Sequence, residues 1–179
     1  MQEIFSLLAE YNASANGILL GLLEKAPPEL VTKDAGSWFG SILGVLNHIL
    51  RSDLTYLARV RTSRPEFTSL AAPAAAHDPA TAPKQLYANL ADLAKRRRQV
   101  DQVLTAFAAE LTDDALKREI RYTNPKGEAE CFAVWEVLTQ LFNHQAHHRG
   151  QVSQILDAAK IEHDFSGVTP VVRARRARR

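Results

Sequence analysis

Four segments of the chain carry apolar residues at the three- and four-residue spacing of an amphipathic α-helix, and each segment is more than 20 residues long. They cover residues 3–24, 37–60, 84–111 and 133–159. A helix with one apolar face must bury that face against another element, and four helices of similar length can do so around one core. The pattern therefore predicts an all-α protein built as a four-helix bundle.

Two stretches between these segments lack helical spacing. Residues 63–83 are rich in Pro, Ala, Ser and Thr, which is typical of a long connection. Residues 116–132 contain two short alternating stretches on either side of Asn-Pro-Lys-Gly at 124–127, a sequence that favours a tight turn. We predict a small β-hairpin there, directly before the last helix. Ser37 is the candidate N-cap of the second helix.

Charge divides the chain into a body and a tail. The formal net charge is +2, and residues 173–179 contain five arginines, so the rest of the chain carries −3. We expect residues 1–165 to form the globular domain and residues 166–179 to be a flexible basic tail. A second basic run, residues 95–98, is expected to be a solvated helix face. An acidic body is a poor electrostatic partner for nucleic acid, so we expect no nucleic acid among the partners.

The sequence also indicates a compartment. Its one cysteine, Cys131, cannot form a disulfide within the chain, which fits a reducing environment. The longest apolar run near the N-terminus, residues 18–23, is far shorter than the roughly 20 residues that cross a bilayer. That N-terminus also lacks the basic segment of a secretory signal. We expect a cytoplasmic protein that does not associate with a membrane.

Histidines concentrate in the last helix. His144 and His148 are four residues apart, so they lie on one face with their Cβ atoms roughly 6 Å apart. That face is the apolar one, so both imidazoles point inward and need partners for their nitrogens. Two imidazoles at this spacing can chelate one metal ion, as in the HExxH helices of metalloproteases. Here Gln145 stands where those helices carry glutamate, which disfavours a protease.

A third imidazole is available from the second helix, where His48 lies close to the apolar face. Three protein nitrogens with one open position are typical of a catalytic or substrate-binding metal. Neutral imidazole suits zinc, nickel, copper or iron, and the spacing does not choose among them. His147 lies about 100° around the helix from His148 and is left out of the site. The alternative is a set of hydrogen-bonded core histidines that hold no metal.

Neighbouring residues suggest supporting roles. The amides of Asn143 and Gln151 could orient a ligand imidazole or face a substrate. Arg149 is expected on the flank of the helix as a salt-bridge partner, and Gly150 at a close contact between helices. Tyr56, two helical turns beyond His48, could line the same cleft or pack in the core.

Three sequence pieces together resemble the DinB family of DinB/YfiT-like metalloenzymes over about residues 1–160: GSILGVLNHILRSD, IRYTNPKGE and NHQAHHRGQ. The resemblance implies a four-helix bundle with long crossover connections in up-down-down-up order. It also implies one divalent metal ion, such as zinc, nickel or iron, held by His48, His144 and His148. Family members often form dimers, so a homodimer is expected.

The resemblance leaves two functions open. Some relatives join a low-molecular-weight thiol to an electrophile, which implies a metal-dependent transferase or hydrolase with a small-molecule substrate, such as a thiol. Many relatives have no assigned reaction, and the alternative is a non-catalytic metal- or ligand-binding protein of a stress response. The sequence assigns no catalytic residue.

Overall fold

The computed structural model describes residues 1–178 of the 179. In this part the helices are α1 (Gln2–Leu23), α2 (Pro28–Thr32), α3 (Ile42–Ser63), α4 (Leu90–Glu110), α5 (Asp113–Lys117), α6 (Val134–Ala158) and α7 (Thr169–Ala177). A two-stranded antiparallel sheet, β1 (Glu119–Thr123) and β2 (Ala129–Ala133), lies directly before α6. The predictions of a mostly helical protein and of the hairpin are therefore confirmed.

The four long helices share one hydrophobic core. Helix α1 packs mainly on α4, and α3 packs mainly on α6, with further contacts between α1 and α6 and between α3 and α4. Their apolar faces meet at fully buried side chains such as Leu50, Leu104 and Leu141. The up-down-down-up order of a four-helix bundle stays a prediction. Among the helices described, none is both long and apolar enough to cross a membrane.

The N-cap of helix α3 lies four residues beyond the predicted cap, Ser37. The N-cap is Ser41, whose Oγ accepts a hydrogen bond from the backbone N–H of Gly44 at 3.2 Å. Ser37 instead forms an isolated β-bridge with Gly40, which has a φ of +74° that suits glycine. The segment before α3 is therefore a tight turn, and it sets the position of Phe39 beside the site described below.

Helix α4 also begins later than the predicted residue 84. Its N-cap is Asn89, whose side chain accepts from the N–H of Asp92 at 2.9 Å. The residues before it are held by Asn47 of α3, whose Oδ1 accepts from the N–H groups of Leu86 and Tyr87 at 2.8 and 2.9 Å. These two bonds bind the backbone to a distant helix, so it does not continue α4 towards its N-terminus.

The C-terminal segment differs from the flexible tail that the sequence predicts from residue 166. Residues Thr169–Ala177 form α7, which contacts α1, and Val171 is buried. The guanidinium of Arg175 donates two hydrogen bonds of 2.9 Å to the carboxylate of Glu10. An ion pair with two aligned hydrogen bonds gives this segment a docking point that apolar spacing alone does not reveal. The domain limit at residue 165 stays a prediction.

A buried polar network crosses the core between the four long helices. Its members are all at most 5% exposed: Asn12, Asn16, Asp53, Arg97, Asp101, Gln145 and Arg149. Arg97 pairs with Asp53 and, at 2.8 Å, with Asp101. Arg149 donates to Asn12 at 2.6 Å and to Gln145 at 3.2 Å. Two arginines and two aspartates balance in formal charge, which reduces the cost of burying them.

This network corrects two predictions. Arg97 belongs to the basic run 95–98, but its guanidinium lies in the core between carboxylates of α3 and α4. Arg149 lies in the core rather than on the flank of α6, and its guanidinium lies 5.3 Å from the centre of the Tyr11 ring. Burial raises the pKa of Asp53, and the charge of Arg97 opposes that shift.

Candidate metal centre

The three histidines predicted as ligands come together between α3 and α6. The Nε2 atom of His48 lies 2.9 Å from Nε2 of His144 and 3.1 Å from Nε2 of His148. The four-residue spacing on α6 stacks two of the rings, and the packing of α3 on α6 brings the third. In the described part of the chain this is the group of side chains that could hold a metal ion, with its donor atoms all within 4.8 Å of one another.

These distances fit a shared ion. Two nitrogens bound to one ion at about 2.0–2.1 Å lie about 2.9 Å apart at a right angle and about 3.4 Å apart at the tetrahedral angle. A neutral imidazole carries one N–H, so hydrogen bonds alone satisfy such a cluster only in part. A cation at the centre would accept a lone pair from each of the three Nε2 atoms. The donor set therefore fits a divalent metal with three nitrogen ligands.

The ring of His148 is fixed by Gln151, one turn further along α6. Nδ1 of His148 lies 2.8 Å from Oε1 of Gln151. An amide oxygen accepts, so Nδ1 carries the proton and the Nε2 lone pair faces the other two rings. Gln151 thus orients a candidate ligand, as its spacing in the sequence suggests. No comparable contact joins Asn143 to the three rings within residues 1–178.

The surroundings keep all three imidazoles neutral. Burial lowers the pKa of His48 from 6.5 to about 4, and the charges of His148 and Arg51 add to the effect. Burial also lowers the pKa of His144 to about 4, with further contributions from His148, His48 and His147. Burial lowers the pKa of His148, although the hydrogen bond that its Nδ1 donates to Gln151 opposes that shift. Metal ligation needs the neutral ring, so protons compete little with a metal at neutral pH.

Phe39 is a part of the site that the sequence did not indicate. Its ring stacks on His48 at a centroid distance of 4.1 Å and meets His148 edge-on at 5.4 Å. It reaches that place because the turn before α3 lies directly over Gly44, so closely that a Cβ there would overlap the carbonyl oxygen of Phe39. In the sequence, the signal for this contact is limited to an aromatic residue, Phe39, five positions before a glycine, Gly44, near the start of a helix.

Gly44→Ala is expected to destabilise the fold by roughly 1–3 kcal/mol, because the added methyl overpacks against the Phe39 backbone. Moving Phe39 also removes its stacking on His48, so metal should bind several-fold more weakly. Urea unfolding and competition for zinc with a chromogenic chelator measure the two effects. An unchanged affinity would show that Phe39 does not support the site.

Gly150→Ala is the matched control on α6. A Cβ at Gly150 would meet no atom within 4 Å, so the close helix contact predicted there is wrong. This glycine faces solvent, and alanine should leave metal binding unchanged and stabilise the helix by about 0.5–1 kcal/mol.

The metal-free protein is expected to lose stability on acidification because of the three rings. Between pH 6.5 and about 4 the unfolded chain takes up protons at His48 and His144, while the folded chain leaves both rings neutral. Between these two pH values, the free energy of unfolding of His144→Gln should therefore fall by about 1–2 kcal/mol less than that of the parent. This figure allows for the partial exposure of the ring. Burial raises the pKa of Asp53 to about 7, so protonation of this carboxyl stabilises the folded protein on acidification. The effect is the same in the parent and in the variant, and it cancels in the difference between them. Urea unfolding at several pH values measures the difference, and parallel curves would contradict it.

His147, Tyr56 and a further histidine, His77, lie outside the three-ring cluster. His147 is exposed, with its ring centroid 4.8 Å from that of His148. Tyr56 is partly buried against the hydrophobic core, which supports the packing alternative. His77 lies in the long connection, where its Nε2 is 3.3 Å from Oγ1 of Thr55. Leaving His147 out of the site agrees with its exposed position.

Comparison with known protein families identifies a match over most of the chain. The model of the DinB family covers residues 1–159 of this chain. No curated protein matches it.

Proposed function

The chain belongs to the DinB family, and on that premise we propose that it binds one divalent metal ion through His48, His144 and His148. The convergence of three Nε2 atoms, with His48 at 2.9 and 3.1 Å from the other two, carries this proposal. Zinc, nickel and iron all accept imidazole nitrogen and are the candidates. Three protein ligands leave a coordination position for a small molecule.

The finer proposal is a metal-dependent transferase that uses a low-molecular-weight thiol. A divalent ion at this position would lower the pKa of a bound thiol or water so that it is deprotonated near neutral pH. The protein keeps the three rings neutral, fixes His148 through Gln151 and covers His48 with Phe39. Within residues 1–178 the described partners of the three rings include no carboxylate that could act as a general base. A thiol mechanism suits this site because the metal itself promotes the deprotonation.

A conjugation assay tests the transferase. Metal-loaded protein is mixed with a thiol, cysteine or glutathione in turn, and with 1-chloro-2,4-dinitrobenzene. The thiol releases its proton to solvent, sulfur bonds to the ring carbon, and chloride leaves. We expect product formation above the uncatalysed rate, abolished in His144→Ala and retained in His147→Ala. The rate should return when metal is restored to chelator-treated parent protein.

The same samples separate the non-catalytic alternative. If a thiol raises the melting temperature of the metal-loaded parent but no conjugate forms with any electrophile tried, the protein binds a ligand without turning it over. A metal- or ligand-binding stress-response protein would then be the better description.

A homodimer remains a proposal from the family. A groove of about 460 Å³ lies between α1 and α6, lined mainly by apolar side chains. Met1, Ile4 and Trp135 along it are 49%, 60% and 38% exposed, which is high for large apolar residues. Light scattering on the purified protein should give twice the chain mass of 19.9 kDa. The cytoplasmic location and the absence of nucleic-acid partners stay predictions.

A further inference from the structure

A cleft of about 860 Å³ is lined by residues other than the three histidines. It lies between residues 51–62 of α3, residues 77–80 and the β-hairpin. We refer to it as the α3–hairpin cleft. Four arginines contribute to its walls: Arg51, Arg59, Arg61 and Arg121. Its volume is in the range of sites that bury small molecules rather than extended polymers.

The arginines of this cleft are poorly neutralised by the protein. Within residues 1–178, Arg121 pairs with Glu119 at 2.7 Å, whereas Arg51, Arg59 and Arg61 form no salt bridge. The lining also includes one carboxylate, that of Asp78. Its oxygens accept 2.9 Å hydrogen bonds from Ala80 and Thr81 in its own turn.

The positive charge of this cleft contrasts with the net negative charge of the chain outside residues 173–179. The five arginines of residues 173–179 account for more than the whole net charge of +2, so the rest of the chain carries −3. Three unpaired arginines in one concave surface of an acidic body produce a local positive potential, and a concave wall concentrates it. Such a surface attracts small anions and repels cations.

One of these arginines, Arg59, is also held in place. The guanidinium of Arg59 lies 4.0 Å from the centre of the Tyr122 ring and 5.7 Å from that of Tyr56. Stacking orders the guanidinium plane and leaves its N–H edges as donors. The Nε atom of Arg51 is buried and has no hydrogen-bond partner in the part of the chain that is described. A guanidinium that is already ordered loses less conformational entropy when it binds an oxyanion. This lower cost favours anion binding in the cleft.

We propose that the α3–hairpin cleft binds a small anionic molecule through carboxylate or phosphate oxygens, with Arg51, Arg59 and Arg61 as its main contacts. Guanidinium groups match both kinds of oxyanion through paired hydrogen bonds. The cleft is lined by residues other than the three histidines, although Arg51 follows His48 by one helical turn. The proposal does not rest on the thiol chemistry, because it concerns charge and shape at other residues.

An NMR titration of the full-length protein as purified tests this site with inorganic phosphate as the probe. Sodium chloride is exchanged for phosphate so that ionic strength stays constant. We expect saturable shifts of backbone amides from residues 51, 59–62, 77–80 and 121–124. Arg59→Gln with Arg61→Gln should weaken binding about tenfold or more, because each substitution removes a charge-assisted hydrogen-bond donor to the anion. Arg61→Gln alone keeps the stack on Tyr122 and should weaken binding several-fold.

Three controls determine how the result is interpreted. Lys95→Gln with Arg98→Gln removes the same charge from α4 and should leave phosphate binding within about twofold, since exposed charges at a distance are screened. His144→Ala should also leave it unchanged. Shifts that do not saturate, equal weakening by the two double variants, or loss of phosphate binding in His144→Ala would each overturn the proposal. Tighter binding of a single-stranded RNA oligomer than of phosphate, with the same residues shifted, would replace it with a nucleic-acid surface.

Discussion

His48→Ala, His144→Ala and His148→Ala are each expected to lower metal affinity by about two orders of magnitude or more. Each change removes one of three converging Nε2 donors and leaves two, which is too few for a stable site in water. Competition with a chelator of known affinity, read by the chelator's absorbance, measures the loss. Far-UV circular dichroism serves to check that the variants remain folded.

His147→Ala and His77→Ala are the matched controls for these changes. His147 is exposed on the same helix, and His77 contacts Thr55 in the long connection, so both variants should bind metal like the parent. Because a metal that binds only the folded protein stabilises it, added zinc should raise the melting temperature of the parent and of both controls. It should not do so for the three ligand variants. Loss of metal in His147→Ala with retention in His144→Ala would refute the assignment.

Arg97→Ala is expected to destabilise the protein by about 3–5 kcal/mol, a large fraction of the total stability of a domain. The substitution leaves the carboxylates of Asp53 and Asp101 buried without their shared cation. The expected loss of stability is large because buried charges are left uncompensated, and not because the ion pair itself contributes much. Urea unfolding followed by circular dichroism gives the free energy of unfolding directly.

Arg98→Ala removes a neighbouring arginine from the same helix as a control. Arg98 pairs with Glu24 at 2.8 Å, but the two side chains are 46% and 40% exposed. Exposed ion pairs contribute about 0–1 kcal/mol, so this variant should unfold close to the parent. Equal losses in the two variants would show that the buried network is not a special source of stability.

Helical periodicity predicts the long helices well because burial of one face repeats along the chain. It predicts the ends of the helices less well, because single hydrogen bonds determine where a helix begins or ends. The start of α4 depends on the side chain of Asn47, which binds the backbone of Leu86 and Tyr87 about 40 positions away. No local pattern contains that contact. The Asn-Pro-Lys-Gly turn was easier to predict, since its geometry depends on residues within the turn, including Gly127 at a φ of +84°.

Sequence patterning does not locate the buried polar groups of this protein. Arg97 sits between two charged neighbours in the sequence, so a solvated face was the natural interpretation. Its partner Asp101 lies one helical turn further along α4, but Asp53 lies on α3 and is recognisable only once the two helices are packed. Arg149 is similar, because its acceptor Asn12 is 137 positions away. Hydrophobic patterning treats every charged residue as exposed and misses such networks.

The candidate site was predicted more fully than the core around it. The four-residue spacing of His144 and His148 indicates a shared face, and the resemblance to the family adds His48. Gln151 follows from the same helical geometry. Phe39 could not be foreseen, because its place beside His48 depends on the turn that lies over Gly44.

Metal content of the protein is the most direct test of the three-histidine site. The parent chain and His144→Ala are produced without a metal-affinity tag and analysed by mass spectrometry of the elements, as purified and after dialysis against zinc. The parent should carry one divalent ion per chain in at least the dialysed sample, and His144→Ala should carry none above background. Equal metal content in the two proteins, or none in either after dialysis, would contradict a metal centre formed by His48, His144 and His148.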